Sequence, residues 1–247
     1  MSSFENKNVV ITGASRGIGL ATVKKFVTEG ANVIACSSHD STETRQLYSD
    51  IESNLKGRIQ PLFFDLSEES SVKEGIKHIK ELTKEVDVLV NNAGIGKLSL
   101  FAFTKANELK RIFQVNFFSQ IMIIQGLIGV LRRSESPSIV NLASIAGIDG
   151  GIGALGYGSS KASIILATRV LAEELAPLHI RVNAVAPGMV DTDLSKQMGN
   201  EAIKRAKGAS FLKRLASPDE IANVIFFLAS NNSNYINGQI IRIDGGM

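Results

Sequence analysis

Tyr157 and Lys161 stand four residues apart in Tyr-Gly-Ser-Ser-Lys, with Ser144 upstream of them. A spacing of four puts the phenol and the ammonium on one face of a helix, one above the other. A cation held against a phenol favours the phenolate, so the pair suits proton donation or acceptance near neutral pH. A solvated helix face would show the same spacing; Ser144 weighs against that reading. Near the N-terminus, Thr12-Gly13-Ala14-Ser15-Arg16-Gly17-Ile18-Gly19 follows an apolar run and precedes Leu20-Ala21-Thr22-Val23. This reads as strand, tight turn and helix, where a missing Cβ lets the backbone approach a pyrophosphate at the helix N-terminus. The spacing is Gly-x-x-x-Gly-x-Gly rather than the commoner Gly-x-Gly-x-x-Gly. Glycine turns also arise for φ > 0 alone, but one at the first strand of an alternating chain favours a cofactor. The pair and the turn together point to nicotinamide-dependent oxidoreduction.

Elements able to position these groups alternate along the chain. Strands are expected at Asn8–Thr12, Asn32–Ser37, Arg58–Phe64, Val86–Asn91, Ser138–Ala143, Ile180–Val185 and Gln239–Ile243. Most are continuous apolar runs, as strands covered on both faces require. Helices are expected near 17–29, 42–55, 68–84, 104–132, 154–176 and 218–230, the last starting at a Ser217 N-cap with Pro218 in first position. Such alternation predicts an α/β fold, a doubly wound (Rossmann) seven-stranded mostly parallel sheet with helices on both faces. No linker, repeat or low-complexity tract divides residues 1–247, so one domain is expected. The polar stretch 191–211 falls where such sheets place a mobile segment over the site. It reads as a substrate lid or as an ordinary surface helix pair.

Composition bounds the alternatives. Of 247 residues, 44% are hydrophobic, enough for a core on both sheet faces, and the net charge is +3. The basic residues are scattered, which argues against a nucleic-acid footprint. The lone Cys36 excludes an internal disulfide and sits in an apolar run, where a buried small side chain is expected. No leader is visible at the start, and the greasy run Ile121–Leu131 is too short to span a bilayer. A soluble cytoplasmic protein with no membrane contact is the expectation. His39, His78 and His179 have no partners at ligand spacing, so no metal is expected. Ser144 lacks the Gly-x-Ser-x-Gly elbow of a hydrolase nucleophile.

The glycine turn, Asn91-Asn92-Ala93-Gly94, Ser144, Tyr157-x-x-x-Lys161 and Pro187-Gly188 occur in one order along the chain. In that order they resemble the short-chain dehydrogenase/reductase family over essentially the whole length. Within it, Asn183-Ala184-Val185-Ala186-Pro187-Gly188 and the ending Ile243-Asp244-Gly245-Gly246-Met247 are similar to the 3-oxoacyl-[acyl-carrier-protein] reductases. The resemblance implies that Tyr157 donates a proton to the substrate oxygen. Lys161 would lower the Tyr157 pKa and bond the nicotinamide ribose. Moving a phenol from about 10 toward 7 takes roughly 4 kcal/mol. Ser144 would bond the carbonyl oxygen where charge develops, although a strand-end cap is the plainer role. Asn116 would hold a relay water behind the lysine, or simply satisfy its own helix. The implied cofactor contacts are Gly13, Ser15, Arg16, Gly17, Ile18 and Gly19 at the phosphates. Asn92, Ala93 and Gly94 stand beside the adenine ribose, and Asp65 with Leu66 at the adenine edge. Pro187, Gly188 and Thr192 would meet the nicotinamide. Asp65 also reads as a helix N-cap.

At the end of the second strand, Ser37 stands where NAD-specific members carry Asp, and Ser38 follows it. Ser37 repels no 2′-phosphate and Arg16 can reach one, so NADPH/NADP+ is expected over NADH, against the nearby Asp40. An acidic acyl carrier protein would need basic residues at the mouth, for which Arg132 and Arg133 are candidates. Glu173 departs from the basic residue common at its position, and Arg169 is the possible compensation. Small residues in 148–156, with Met189 and Leu194 opposite, would shape the pocket. The substrate is expected to be a 3-oxoacyl thioester; another ketone, diketone or sugar-derived alcohol shares every catalytic residue. A non-catalytic dinucleotide-binding regulator is the rival from another class. Apolar helices beyond what one sheet face covers imply a homotetramer.

Overall fold

Val9 and Ile11 point to one face of the sheet and Val10 to the other, and all three are fully buried. Two helical layers cover the sheet, so its strands need no polar face. The computed structural model describes residues 4–196 and 198–247. Residues 1–3, part of the stretch expected to carry no leader, and Gln197, within the expected lid, lie outside the described residues.

Seven strands form the sheet: β1 (Asn8–Thr12), β2 (Asn32–Ser37), β3 (Arg58–Phe63), β4 (Val88–Asn91), β5 (Ser138–Leu142), β6 (Arg181–Pro187) and β7 (Ile240–Ile243). Their order is β3-β2-β1-β4-β5-β6-β7. Every pairing is parallel, from Val9 beside Val33 on one side of β1 to Val9 beside Val88 on the other. The doubly wound expectation holds, with ends displaced by one or two residues. The chain winds outward from β1 to β3, then returns to β4 on the far side. That reversal opens a crevice at the C-terminal ends of β1 and β4, where such sheets bind ligands.

One layer holds α1 (Gly17–Thr28), α2 (Thr42–Ser53) and α9 (Pro218–Ala229), whose Phe26, Tyr48 and Ile225 pack on Val9, Val33 and Val185. The other holds α3 (Glu69–Leu82), α5 (Ser119–Leu131) and α6 (Leu155–Glu174), meeting Val10, Leu89 and Ile139 through Ile79, Ile123 and Ala172. Ser217 caps α9 in a reciprocal capping box with Glu220, and Pro218 follows it as expected.

The long helix expected at 104–132 is interrupted. It runs as α4 (Ala106–Phe113), one π turn (Gln114–Phe118) and then α5. Together they make a 26-residue helical run long and apolar enough to cross a membrane, half of whose apolar window is buried inside the fold. Its helix thus exceeds the apolar stretch that looked too short. Between Asp191 and Phe211 stand α7 (Asp193–Lys196) and α8 (Asn200–Ala209).

Candidate active site

The glycine turn is a tight cradle. A Cβ on Gly13 would come 2.8 Å from Ala93 Cα and 2.9 Å from Asn92 Nδ2, and one on Gly19 would strike the Gly13 carbonyl. Gly13 and Gly17 also have φ of +66° and +55°, so only glycine fits both demands. The Asn92 amide donates to the carbonyls of Thr12 (2.9 Å) and Gly13 (3.0 Å), while Thr12 Oγ1 accepts from the backbone of Asn92 and Ala93. β1 and β4 are thereby locked together beneath the turn.

A cleft of about 300 Å³ opens above it. Gly13, Ser15, Arg16, Ile18 and Gly19 form its floor, and Asn92, Ala93 and Gly94 one wall. Ser37, Ser38, Asp65 and Leu66 close one end; Tyr157, Lys161 and Thr192 stand at the other. A phosphate-sized cradle at a helix N-terminus, lined over this length, fits a dinucleotide. Gly17 lies behind the cleft, its Cβ position 3.3 Å from the Thr192 methyl. Pro187, Gly188, Asn116 and Ser144 are not among the cleft's lining residues.

The proton-transfer groups converge where β5 and α6 meet. Ser144 follows β5 by two residues and caps the short turn 145–147, Tyr157 lies in the first turn of α6, and the Ser144 hydroxyl is near enough to act on the Tyr157 phenol. Burial holds the Tyr157 phenol above its ordinary value, and the bond from Ser144 opposes that rise. Ser144 also accepts from the Ala146 amide at 3.2 Å, the capping role its position suggested. Lys161 is almost fully buried; its Nζ donates to the Leu142 carbonyl at 2.6 Å and lies 5.9 Å from the Tyr157 ring centre. Desolvation pulls its pKa down to about 8. Among these residues the expected lowering of Tyr157 by Lys161 does not appear, because the ammonium is turned to a backbone carbonyl.

Asn116 sits on the π turn, where the widened helix aims its side chain at the 94–96 backbone. Its amide oxygen accepts from Ile95 N (2.8 Å), and its nitrogen donates to Ile95 O (2.8 Å) and Ser160 Oγ (3.0 Å). All three bonds steady Gly94 against Lys161, with a Cβ there only 3.3 Å from Nζ. Asp65 caps no helix: it accepts from Ser67 N in a local turn, and α3 starts after Glu68.

Ser37 Oγ is buried beside Tyr48, and neither hydroxyl has a partner within hydrogen-bond distance. Cys36 is buried, as expected, and burial pushes its thiol up. Asp40 is held by Arg45 in two 2.6 Å bonds, which keep its carboxyl below the usual range. Arg111 and Val115 also line the cleft. Their i, i+4 spacing before Asn116 was the signal that sequence inspection passed over.

Arg132 and Arg133 do not flank the mouth. α5 runs antiparallel to the strands, and Arg133 donates to the Lys84 carbonyl, just ahead of β4, at 3.0 Å. Both therefore stand at the opposite end of the strands from Tyr157. Arg169 lies about 18 Å down α6 from Tyr157, at 1.5 Å per residue. Among the described residues no cluster of three potential metal ligands occurs.

Proton-transfer groups beside a phosphate cradle, at the reversal point of a doubly wound sheet, place the protein among the dinucleotide-dependent oxidoreductases. Comparison with known proteins narrows that class. Residues 13–247 match the model of a family described as enoyl-(acyl carrier protein) reductase. The 3-oxoacyl-[acyl-carrier-protein] reductase FabG of Thermotoga maritima is 37% identical, over 99% of this chain and 98% of its own. A 3alpha-hydroxysteroid dehydrogenase of Mediterraneibacter gnavus is 34% identical over 98% and 97%. Among solved structures, the Pseudomonas aeruginosa RhlG/NADP active-site complex superposes with a TM-score of 0.91 at 30% identity, covering 99% of this chain and 97% of that one. The chain belongs to the short-chain dehydrogenase/reductase family, and it is an oxidoreductase.

Proposed function

We propose that this protein is an NADPH-dependent ketoreductase that reduces a 3-oxoacyl thioester, carried by acyl carrier protein or coenzyme A, to the 3-hydroxyacyl product. The observation that carries the reading is the convergence of Ser144 and Tyr157 with the buried Lys161, whose Nζ lies 5.9 Å from the Tyr157 ring centre, at the end of the dinucleotide-sized cleft. Ketone reduction needs a proton donor at the oxygen, and a phenol held protonated by burial is one. Ser144 stabilises the charge that develops on that oxygen. Lys161, largely protonated at pH 7, supplies a positive field in a dry site. Asn116 keeps the 94–96 backbone in place behind it. When bound, the nicotinamide supplies the hydride.

For the cofactor, Gly13 to Gly19 hold the phosphates, Asp65 and Leu66 the adenine, and Pro187, Gly188 and Thr192 the nicotinamide end. NADPH is supported by the neutral Ser37, by Arg16 with no ion pair among the described residues, and by Arg45 neutralising Asp40. The FabG relatives support the thioester. The chain acts as one domain, with 191–211 as lid over a pocket that Thr192 and Leu194 already border. A cytoplasmic homotetramer completes the proposal. The hydroxysteroid dehydrogenase relative favours a second reading, a different ketone or alcohol in the same pocket.

NADPH and NADH oxidation, followed by absorbance on acetoacetyl-coenzyme A and acetoacetyl-acyl carrier protein, tests this. Turnover with NADPH on the thioester is expected, and Tyr157→Phe should abolish it while leaving NADPH affinity within about twofold. Activity confined to a diketone, steroid or sugar ketone would move the enzyme to the second reading. Cofactor binding without turnover on any carbonyl would favour the regulator.

A further inference from the structure

Residues 242–247 touch three segments that lie near the cleft residues Tyr157, Thr192 and Leu194 along the chain. Arg242 binds Asp149 at 2.8 and 3.0 Å, Asp244 at 2.7 Å and the Met247 carbonyl at 2.8 Å. Asp149 lies in the loop that leads into Tyr157. On the other side, the Gly245 carbonyl accepts from Phe211 N (2.9 Å), Leu212 N (3.4 Å) and Ser210 Oγ (3.2 Å). Ser210 to Leu212 end the stretch that begins at Thr192 and Leu194 on the cleft. Between them, Gly188 N donates to the Ile243 carbonyl at 2.9 Å.

The approach on the Ser210 side is too close for side chains. A Cβ on Gly245 would lie 2.5 Å from Ser210 Oγ, and one on Gly246 would lie 2.5 Å from the Phe211 ring. Both glycines have positive φ, +66° and +84°, which L side chains resist. A segment that merely extended β7 would need neither the two glycines nor an arginine shared among Asp149, Asp244 and the Met247 carbonyl.

We propose that residues 242–247 form a strap that holds the two walls of the substrate mouth in register, with Arg242 and Gly245 as its positioning residues. The loop before Tyr157 is one wall and the 210–212 turn the other. The strap acts on the ketone's position rather than on the dinucleotide, whose cradle lies on β1 and β4.

Hydrogen exchange on the intact protein tests the mechanical half. Arg242→Gln should speed amide exchange about fivefold in both 148–153 and 210–212, with the glycine turn unchanged. Gly245→Ala should speed 210–212 about tenfold; if that variant fails to fold, Arg242→Gln carries the test alone. In steady state, Arg242→Gln should raise the ketone KM about fivefold, with kcat and NADPH affinity within about twofold. Arg242→Lys should recover part of the loss. Loosening confined to one segment, an unchanged ketone KM, or an equal fall in NADPH affinity would overturn the proposal. The kinetic arm rests on the ketoreductase reading; the exchange arm does not. A wild type that turns over no ketone would sink that reading, while loosening of both walls by Arg242→Gln would still uphold the strap.

Discussion

Lys161 carries the clearest conflict between stability and function. Burying its ammonium lowers the pKa from about 10.4 in an unfolded chain to about 8. The unfolded chain therefore binds more protons between these values, and stability rises with pH across that window. Below about pH 8 the penalty is complete, roughly 3 kcal/mol at 1.36 kcal/mol per unit. Lys161→Met removes the charge but leaves the Leu142 carbonyl without its donor, at a cost of about 1–2 kcal/mol. The variant should be inactive and yet more stable by about 1–2 kcal/mol at pH 7 in urea unfolding. That advantage should shrink as pH rises, vanish near about pH 9 and reverse to a deficit of about 1–2 kcal/mol above about pH 10.4, where only the unpaired Leu142 carbonyl remains. A variant less stable than wild type at both pH values would mean that the ammonium is already compensated in the folded protein.

At the scale of elements, the π turn at Gln114–Phe118 joins sequence to site. An unbroken α-helix could keep the same apolar faces, yet only the wider turn aims Asn116 at both backbone groups of Ile95. Asn116→Leu leaves those groups unpaired, a loss of roughly 2 kcal/mol. We expect a lower urea midpoint with an unchanged m-value, and turnover reduced more than NADPH affinity. An unchanged midpoint would show that Ile95 finds other partners. Neither the π turn nor its bonds were legible beforehand: a helix pattern has the same period whether or not one turn carries an extra residue. The capping box at Ser217 was legible, because all its partners lie within four residues.

Across the described residues, several exposed apolar side chains lie away from the cleft. Phe118, Leu166 and Val170 stand out from the π turn and α6, and Phe227 and Tyr235 from the end of α9. Two apolar surfaces on one protomer suit a closed tetramer with crossed two-fold axes. Light scattering at micromolar concentration should show four copies, and a Leu166→Glu, Val170→Glu double variant should leave dimers. A monomeric wild type would dismiss the arrangement.

Local chemistry made much of this protein readable from sequence alone. Apolar runs covered on both faces, helix starts and a glycine turn depend on neighbours in the chain, so all seven strands, the order of the motifs and the Tyr157–Lys161 pair could be placed. Tertiary structure decided what depends on direction and distance. The antiparallel course of α5 carries Arg132 and Arg133 to the far end of the strands, and the ammonium of Lys161 turns to Leu142 rather than to the phenol. The pairing of Arg45 with Asp40, and of the C-terminal residues with Asp149 and Ser210, likewise arises only once the chain has folded. Side-chain period fixes which face of an element a residue occupies, whereas its partner depends on which end of the sheet the folded chain brings it to.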